Sequence, residues 1–146
     1  MSPDPSQDMY QKDLMRLAAD AHGAGRIDLP DASATLDNPL CGDRVTIGVM
    51  VADGHISALA QEVRACVLCQ ASASLLARDA VGSDIADITE ITDLLSQMLK
   101  KGEPLPEGRW EALSVFEPVI GHRARFPCVL LPFETLQGAL NSLNDT

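Results

Sequence analysis

The most regular pattern in the chain is the alternation of apolar and other residues over positions 45–51, where valine or isoleucine occupies every second position. A period of two predicts a β-strand with one buried face. Asp53-Gly54 follows directly, and this dipeptide is a strong hairpin signal. We therefore predict a second strand over about 55–63 that pairs back on the first.

Apolar residues at steps of three and four predict helices in the rest of the chain. These helices cover about 9–21, 66–81, 84–101 and 110–120, and a turn and a final helix fill 126–143. We expect Pro132 in the first turn of that final helix and Cys128 immediately before it. Residues 21–39 form an extended connection with one short strand at most, and 102–108 form a loop. The predicted fold class is α+β, with a small antiparallel, hairpin-based sheet packed against helices.

Length and charge narrow the class of protein. A chain of 146 residues fits one domain, predicted over 9–146, and the proline-rich residues 1–8 are predicted to be disordered. The net charge of −10 argues against a nucleic-acid partner. We find neither an apolar run long enough to span a membrane nor a signal peptide, so we predict a cytoplasmic protein without a membrane partner.

Four cysteines, at positions 41, 66, 69 and 128, are the main chemical candidates. In a reducing compartment we expect such thiols to serve metal, redox or sulfur chemistry rather than disulfides. If the backbone at the mouth of the first strand is extended, Cys41 and Asp43 leave the same face. Cys66 and Cys128 are each predicted near a helix N-terminus, where backbone amides favour a thiolate.

The spacing of these residues decides how a site would form. Cys41 and Cys66 are 25 residues apart, and Cys66 and Cys128 are 62 apart, which is too long for a zinc-finger loop. Cysteines this far apart in the sequence could form one metal site only if the tertiary fold brought them together. Three thiolates and one carboxylate suit zinc, and thiolates also hold iron–sulfur clusters. The alternative is that each cysteine is a small buried apolar residue, and spacing alone leaves both interpretations open.

Three segments resemble, in order, the cysteine segments of the iron–sulfur cluster assembly scaffold family, the IscU, SufU and NifU type. They are NPLCGDRVTIGVMV at 38–51, ACVLCQASASLL at 65–76 and RARFPCVLL at 123–131. The resemblance implies a three-stranded antiparallel sheet packed against helices. It also implies that Cys41, Cys66 and Cys128 are the scaffold thiols and that Asp43 is the nearby carboxylate ligand. The long segment between Cys66 and Cys128, including 101–114, and Arg125 resemble the SufU pattern.

The sequence also departs from the family pattern. It lacks the Leu-Pro-Pro-Val-Lys chaperone-binding segment of IscU, and Pro127 stands where the family has histidine or lysine before the last cysteine. LAADAHGAGR at 17–26 replaces the usual N-terminal desulfurase-contacting stretch. Cys69 is extra, because the family commonly has serine there. It is a candidate additional ligand or resolving thiol, although we favour the interpretation of a serine-sized filler.

The resemblance implies two leading functions. The first is a non-enzymatic scaffold that accepts sulfur from a SufS-like cysteine desulfurase, binds iron and builds a transient [2Fe-2S] cluster for apo iron–sulfur acceptor proteins. The second is a zinc-bound sulfurtransferase that takes persulfide sulfur without assembling a cluster. Cys41 and Cys128 are the candidate persulfide acceptors. A structural zinc domain is a third hypothesis, and it predicts unfolding when metal is removed.

Overall fold

The computed structural model describes residues 5–143, with side chains from residue 12 onward, and it contains a three-stranded antiparallel sheet. The strands are β1 (Ala32–Asn38), β2 (Asp43–Ala52) and β3 (His55–Arg64), in the order β1-β2-β3. The one short strand allowed for in the 21–39 connection is therefore β1. Asp53 and Gly54 have φ values of 53° and 79°, as the predicted tight hairpin turn requires. The predicted α+β class and three-stranded sheet are confirmed.

One face of β2 builds the centre of the core. Val45, Ile47 and Val49 are fully buried, which is the face that the alternation predicts. The pairing of β2 with β3 shifts between Met50 and Val51. This irregularity accounts for the imperfect apolar pattern of β3, because a bulge changes which side chains share a face.

The helices agree with the predicted ones in position but not always in type. They are α1 (Pro5–Asp20), α2 (Val67–Ala80) and α3 (Ile85–Lys101). Residues 5–8, predicted to be disordered, belong to α1, and residues 1–4 lie outside the described part of the chain. Glu111–Val119 is a 3-10 helix, with Pro118 inside it. The predicted helix is thus present, but its type is 3-10 rather than α.

The start of the last helix, α4 (Phe126–Ser142), corrects the prediction. Pro127, not Pro132, occupies the first turn, and Cys128 lies inside that turn rather than before the helix. Pro132 is buried in the helix interior. The expectation followed the usual exclusion of proline from helix interiors, and here the buried face around Val129, Leu131 and Phe133 outweighs that penalty.

The helices cover one face of the sheet, as predicted. α4 packs against β1, β2, α2 and α3, and α1 packs against α2. The buried hydroxyl of Ser72 in α2 donates a 2.6 Å hydrogen bond to the carbonyl of Val129 in α4. This bond joins the helix that follows Cys66 to the helix that contains Cys128. Within residues 5–143, no helix is long and apolar enough to cross a membrane.

Candidate metal centre

The turn between β1 and β2 places the first two candidate ligands. Because Asn38 pairs with Asp43, the loop consists of the four residues 39–42. Gly42 adopts a φ of 70°, a conformation that favours glycine. The amide of Cys41 donates to the carbonyl of Asn38 at 3.2 Å. Cys41 is thus in a turn and not on an extended strand, so the turn, rather than strand alternation, brings it towards Asp43.

The third candidate ligand, Cys66, comes from the other side of β2. Because β3 runs antiparallel and Arg64 pairs with Arg44, Cys66 emerges beside the start of β2. The backbone amide of Cys66 donates a 3.0 Å hydrogen bond to Oδ1 of Asp43, and its Sγ lies 3.9 Å from Oδ2. The Asp43 side chain is only 2 % exposed. One carboxylate oxygen therefore fixes the entry to α2, and the other faces the thiols.

Cys128, in the first turn of α4, completes the cluster. Its Sγ lies 3.7 Å from Sγ of Cys41. The ligand atoms of Cys41, Asp43 and Cys128 all lie within 4.8 Å of one another. The fold thus brings together cysteines that are 25 and 62 residues apart in the sequence. It does so through one turn and the starts of two helices.

Protonation of Cys128 links metal binding to pH. Burial raises the pKa of the Cys128 thiol above its ordinary value, and the hydrogen bond with Cys41 raises it further. Without metal this sulfur is therefore a thiol at neutral pH. A metal ion that binds it must displace the proton, so binding is weaker in acid.

The donor set fits a borderline-soft ion or an iron–sulfur cluster. In a tetrahedral site with zinc–sulfur bonds of about 2.3 Å, two thiolates lie about 3.8 Å apart. The 3.7 Å separation of Cys41 and Cys128 matches this spacing without rearrangement. With Cys66 beside Asp43, the fold supplies three thiolates and one carboxylate from three separate segments.

The two further candidates are placed differently. Cys69 is completely buried in α2 and belongs to the hydrophobic core. Burial raises its pKa, with smaller contributions from Asp43 and Cys66, so it stays a neutral thiol. Arg125 is exposed and directly precedes α4. Neither residue belongs to the group of converging ligand atoms. Cys66 also lies outside that group, although its sulfur is 3.9 Å from Oδ2 of Asp43.

Asn38 also lies in this region, at the end of β1, and was not predicted from the sequence to do so. Its side chain is 7 % exposed, and its Nδ2 has no hydrogen-bond partner among the residues that the structure describes. The available signal was its place at the head of the NPLCGD motif.

Comparisons with known proteins show which family the chain belongs to. Residues 9–117 match the NifU-like N-terminal domain family. The protein named iron–sulfur cluster assembly scaffold protein IscU from Thermotoga maritima is 27 % identical over 136 residues, which are 93 % of this chain and 95 % of that protein.

Solved structures give the same result. The crystal structure of a nitrogen-fixing NifU-like protein (N-terminal) from Brucella abortus superposes with a TM-score of 0.90 at 34 % identity, over 97 % of this chain and 98 % of that one. A protein from Fervidobacterium islandicum, whose name assigns it to cluster assembly in the SUF system, gives a TM-score of 0.79 at 25 % identity. That match covers 92 % of this chain and 98 % of the other. Motifs, fold and comparisons agree: the chain belongs to the NifU-like N-terminal domain family.

Proposed function

We propose that this protein is an iron–sulfur cluster assembly scaffold, on which sulfur from a cysteine desulfurase and iron form a transient [2Fe-2S] cluster for apo-proteins. The observation that carries the proposal is the convergence of Cys41, Asp43 and Cys128, with Cys66 hydrogen-bonded to the same aspartate. Relatives named as scaffolds support it. A SufS-like desulfurase is the proposed sulfur donor, on the resemblance to SufU alone.

The exposure of the thiols suits sulfur transfer. Cys41 is exposed at the tip of the turn, whereas Cys128 is buried behind it. The thiolate of Cys41 attacks the terminal sulfur of the desulfurase persulfide, and the desulfurase cysteine leaves as a thiolate. The sulfur arrives on Cys41 as a persulfide, and two electrons from a separate donor convert it to sulfide. Cys128, 3.7 Å away, is the alternative acceptor.

Asp43 gives the site its capacity for release. A carboxylate is a harder ligand than a thiolate, so a mixed set holds iron less firmly than four thiolates would. A scaffold must hand its cargo on, and this ligand set favours exchange over permanent storage.

The second candidate is a zinc-bound sulfurtransferase of the SufU type. The similarity to the SUF-system protein and the extra segment around 101–114 favour it. In this case zinc is resident in the centre, and Cys41, an exposed thiol and the acceptor that the family resemblance implies, accepts persulfide sulfur. The same four side chains serve both candidates.

Metal analysis of anaerobically purified protein, together with its visible absorption spectrum, separates the two. The scaffold proposal predicts iron and acid-labile sulfide after reconstitution with desulfurase, cysteine and iron, with charge-transfer absorption. Cys66→Ser should abolish this absorption, whereas Cys69→Ala should retain it, because Cys69 lies in the core. Stoichiometric zinc without charge-transfer bands, persisting after reconstitution, would overturn the scaffold proposal in favour of sulfur transfer.

A further inference from the structure

Asn38 shares a face of the sheet with Asp43. It is the last residue of β1, and the antiparallel register places it directly opposite Asp43, the first residue of β2. Residues directly opposite in such a pair project their side chains to the same side, with Cβ atoms about 5 Å apart. Both side chains are buried, on the face that α4 covers. The carbonyl of Asn38 also accepts the Cys41 amide hydrogen bond.

The Asn38 side-chain amide is an unused donor. Nδ2 is shielded from solvent and has no acceptor within hydrogen-bond distance among the described residues. Buried amide groups are normally hydrogen-bonded, and an exception calls for an explanation. With a metal bound, the neighbouring side chains of Cys41 and Asp43 are both anionic and offer only acceptors. An amide donor on the same face of the sheet, next to an anionic ligand set, has the polarity that this set needs.

We propose that Asn38 is a positioning residue of the centre, whose side-chain amide donates a hydrogen bond to the anionic ligands Cys41 and Asp43 when metal or cluster is bound. This inference rests on the proposed function to the extent that the centre holds a metal. Such a bond orients the ligands and stabilises their ionised form. Loss of a partner of this kind typically weakens metal binding by about 10–100-fold.

A structural role for Asn38 predicts something different. If Asn38 were needed to form the turn, replacing it would destabilise the metal-free protein. An unpartnered buried donor contributes nothing to the metal-free fold, so its removal leaves that fold as stable or makes it more stable. The two roles are therefore separated by comparing metal affinity with metal-free stability.

Asn38→Val and Asn38→Thr provide the test, because valine and threonine have nearly the same shape and differ in a hydroxyl donor. The probe is Co²⁺, titrated under anaerobic conditions with a competing chelator and followed through its thiolate charge-transfer and ligand-field bands. We expect Asn38→Val to bind Co²⁺ at least about tenfold more weakly, with shifted bands. Asn38→Thr should stay closer to the wild type in affinity and spectrum. Neither variant should lower the melting temperature of the metal-free protein.

Ser83→Ala is the matched control. The hydroxyl of Ser83 is another fully buried group without a partner among the described residues, but it lies between α2 and α3, outside the centre. Its loss should leave Co²⁺ affinity and spectrum unchanged.

Three results would overturn the inference on Asn38. They are wild-type affinity in Asn38→Val, equal weakening in the valine and threonine variants, and loss of folding in the metal-free valine variant. Failure of the wild-type protein to bind Co²⁺ is a distinct result, because it would overturn the proposed function and the inference together.

Discussion

Asp43 has two separable tasks. Its Oδ1 accepts the hydrogen bond from the Cys66 amide, while Oδ2 faces the Cys66 sulfur. The first task holds the start of α2 against the sheet, and the second supplies a candidate metal ligand. A substitution that keeps the hydrogen-bond acceptor but removes the negative charge therefore separates the structural role of Asp43 from its proposed role as a ligand.

We predict that Asp43→Ala lengthens the lifetime of the reconstituted cluster several-fold, because the site loses its most exchangeable ligand. The same change should lower the free energy of unfolding of the metal-free protein by about 1–3 kcal/mol, since the part-buried Cys66 amide loses its charged hydrogen-bond partner. The decay of visible absorbance in the presence of a chelator measures the first effect, and urea denaturation measures the second.

Asp43→Asn is the matched comparison for this experiment. Its side-chain oxygen still accepts from the Cys66 amide, so the metal-free protein should keep more of its stability than the alanine variant does. Cluster decay should nevertheless be slowed, because the carboxylate is gone. Decay at the wild-type rate in both variants would refute the proposed role of Asp43 in release.

The loop after α1 depends on Gly23, because there is no space for a side chain at this position. The carbonyl of Gly23 accepts the Gln61 amide at 2.8 Å, and the amide of Gly25 donates to the Gln61 carbonyl at 3.0 Å, so the loop is tied to β3. Gly23 has a φ of 79°, and a Cβ at this position would lie 2.7 Å from Cβ of Ala77 in α2. The close approach of the loop to α2 thus excludes any side chain.

We predict that Gly23→Ala destabilises the protein by more than the roughly 1–2 kcal/mol that a left-handed backbone alone costs an alanine. Gly54→Ala measures that backbone cost separately, because Gly54 has the same φ of 79° but no atom within 4 Å of its added Cβ. Urea denaturation of both variants gives the difference. Equal losses would mean that the contact with Ala77 relaxes at no cost.

Local signals predicted most elements because they act within a few residues. The alternation around Val45 gave β2, Asp53-Gly54 gave the turn, and α3 ends at the predicted Gly102, which is left-handed. The predicted start of α4 was wrong because burial of one face of the helix outweighs the preference of Pro132 for a first turn. Helical spacing over 111–119 does not distinguish an α-helix from the observed 3-10 helix.

The candidate site could be predicted only in part, because local signals act within a few residues and do not show which distant residues converge. Cys41, Asp43, Cys66 and Cys128 stand in motifs that can be recognised in sequence, but their convergence depends on strand register and on the packing of α4 against the sheet. Apart from the place of Asn38 at the head of the NPLCGD segment, nothing in the sequence marks its unpaired amide. It becomes visible only when the opposing strand and the covering helix are both in place.

The candidate centre joins several parts of the molecule and touches the main core through Cys128. Its candidate ligands come from the β1–β2 turn, from the start of β2 and from the starts of α2 and α4. The largest fully buried side chains, which include Phe116, Phe133 and Ile47, belong to the hydrophobic core and none of them is a candidate ligand. The chain is also long enough to bury a substantial core without a metal. These features argue against metal as a requirement for folding.

We therefore predict that complete removal of metal by a chelator leaves a protein that still unfolds in one cooperative transition, at a lower melting temperature. A metal at a thousand times its dissociation constant adds about 4 kcal/mol to stability by mass action. For a chain of this size that corresponds to a shift of about 10 °C. Calorimetry with and without Zn²⁺ measures the shift, and Cys128→Ser, which lacks one ligand, should show a smaller one. Loss of the cooperative transition on chelation, with its return on adding zinc, would instead identify the centre as a structural zinc site, because only then would the fold depend on the bound ion.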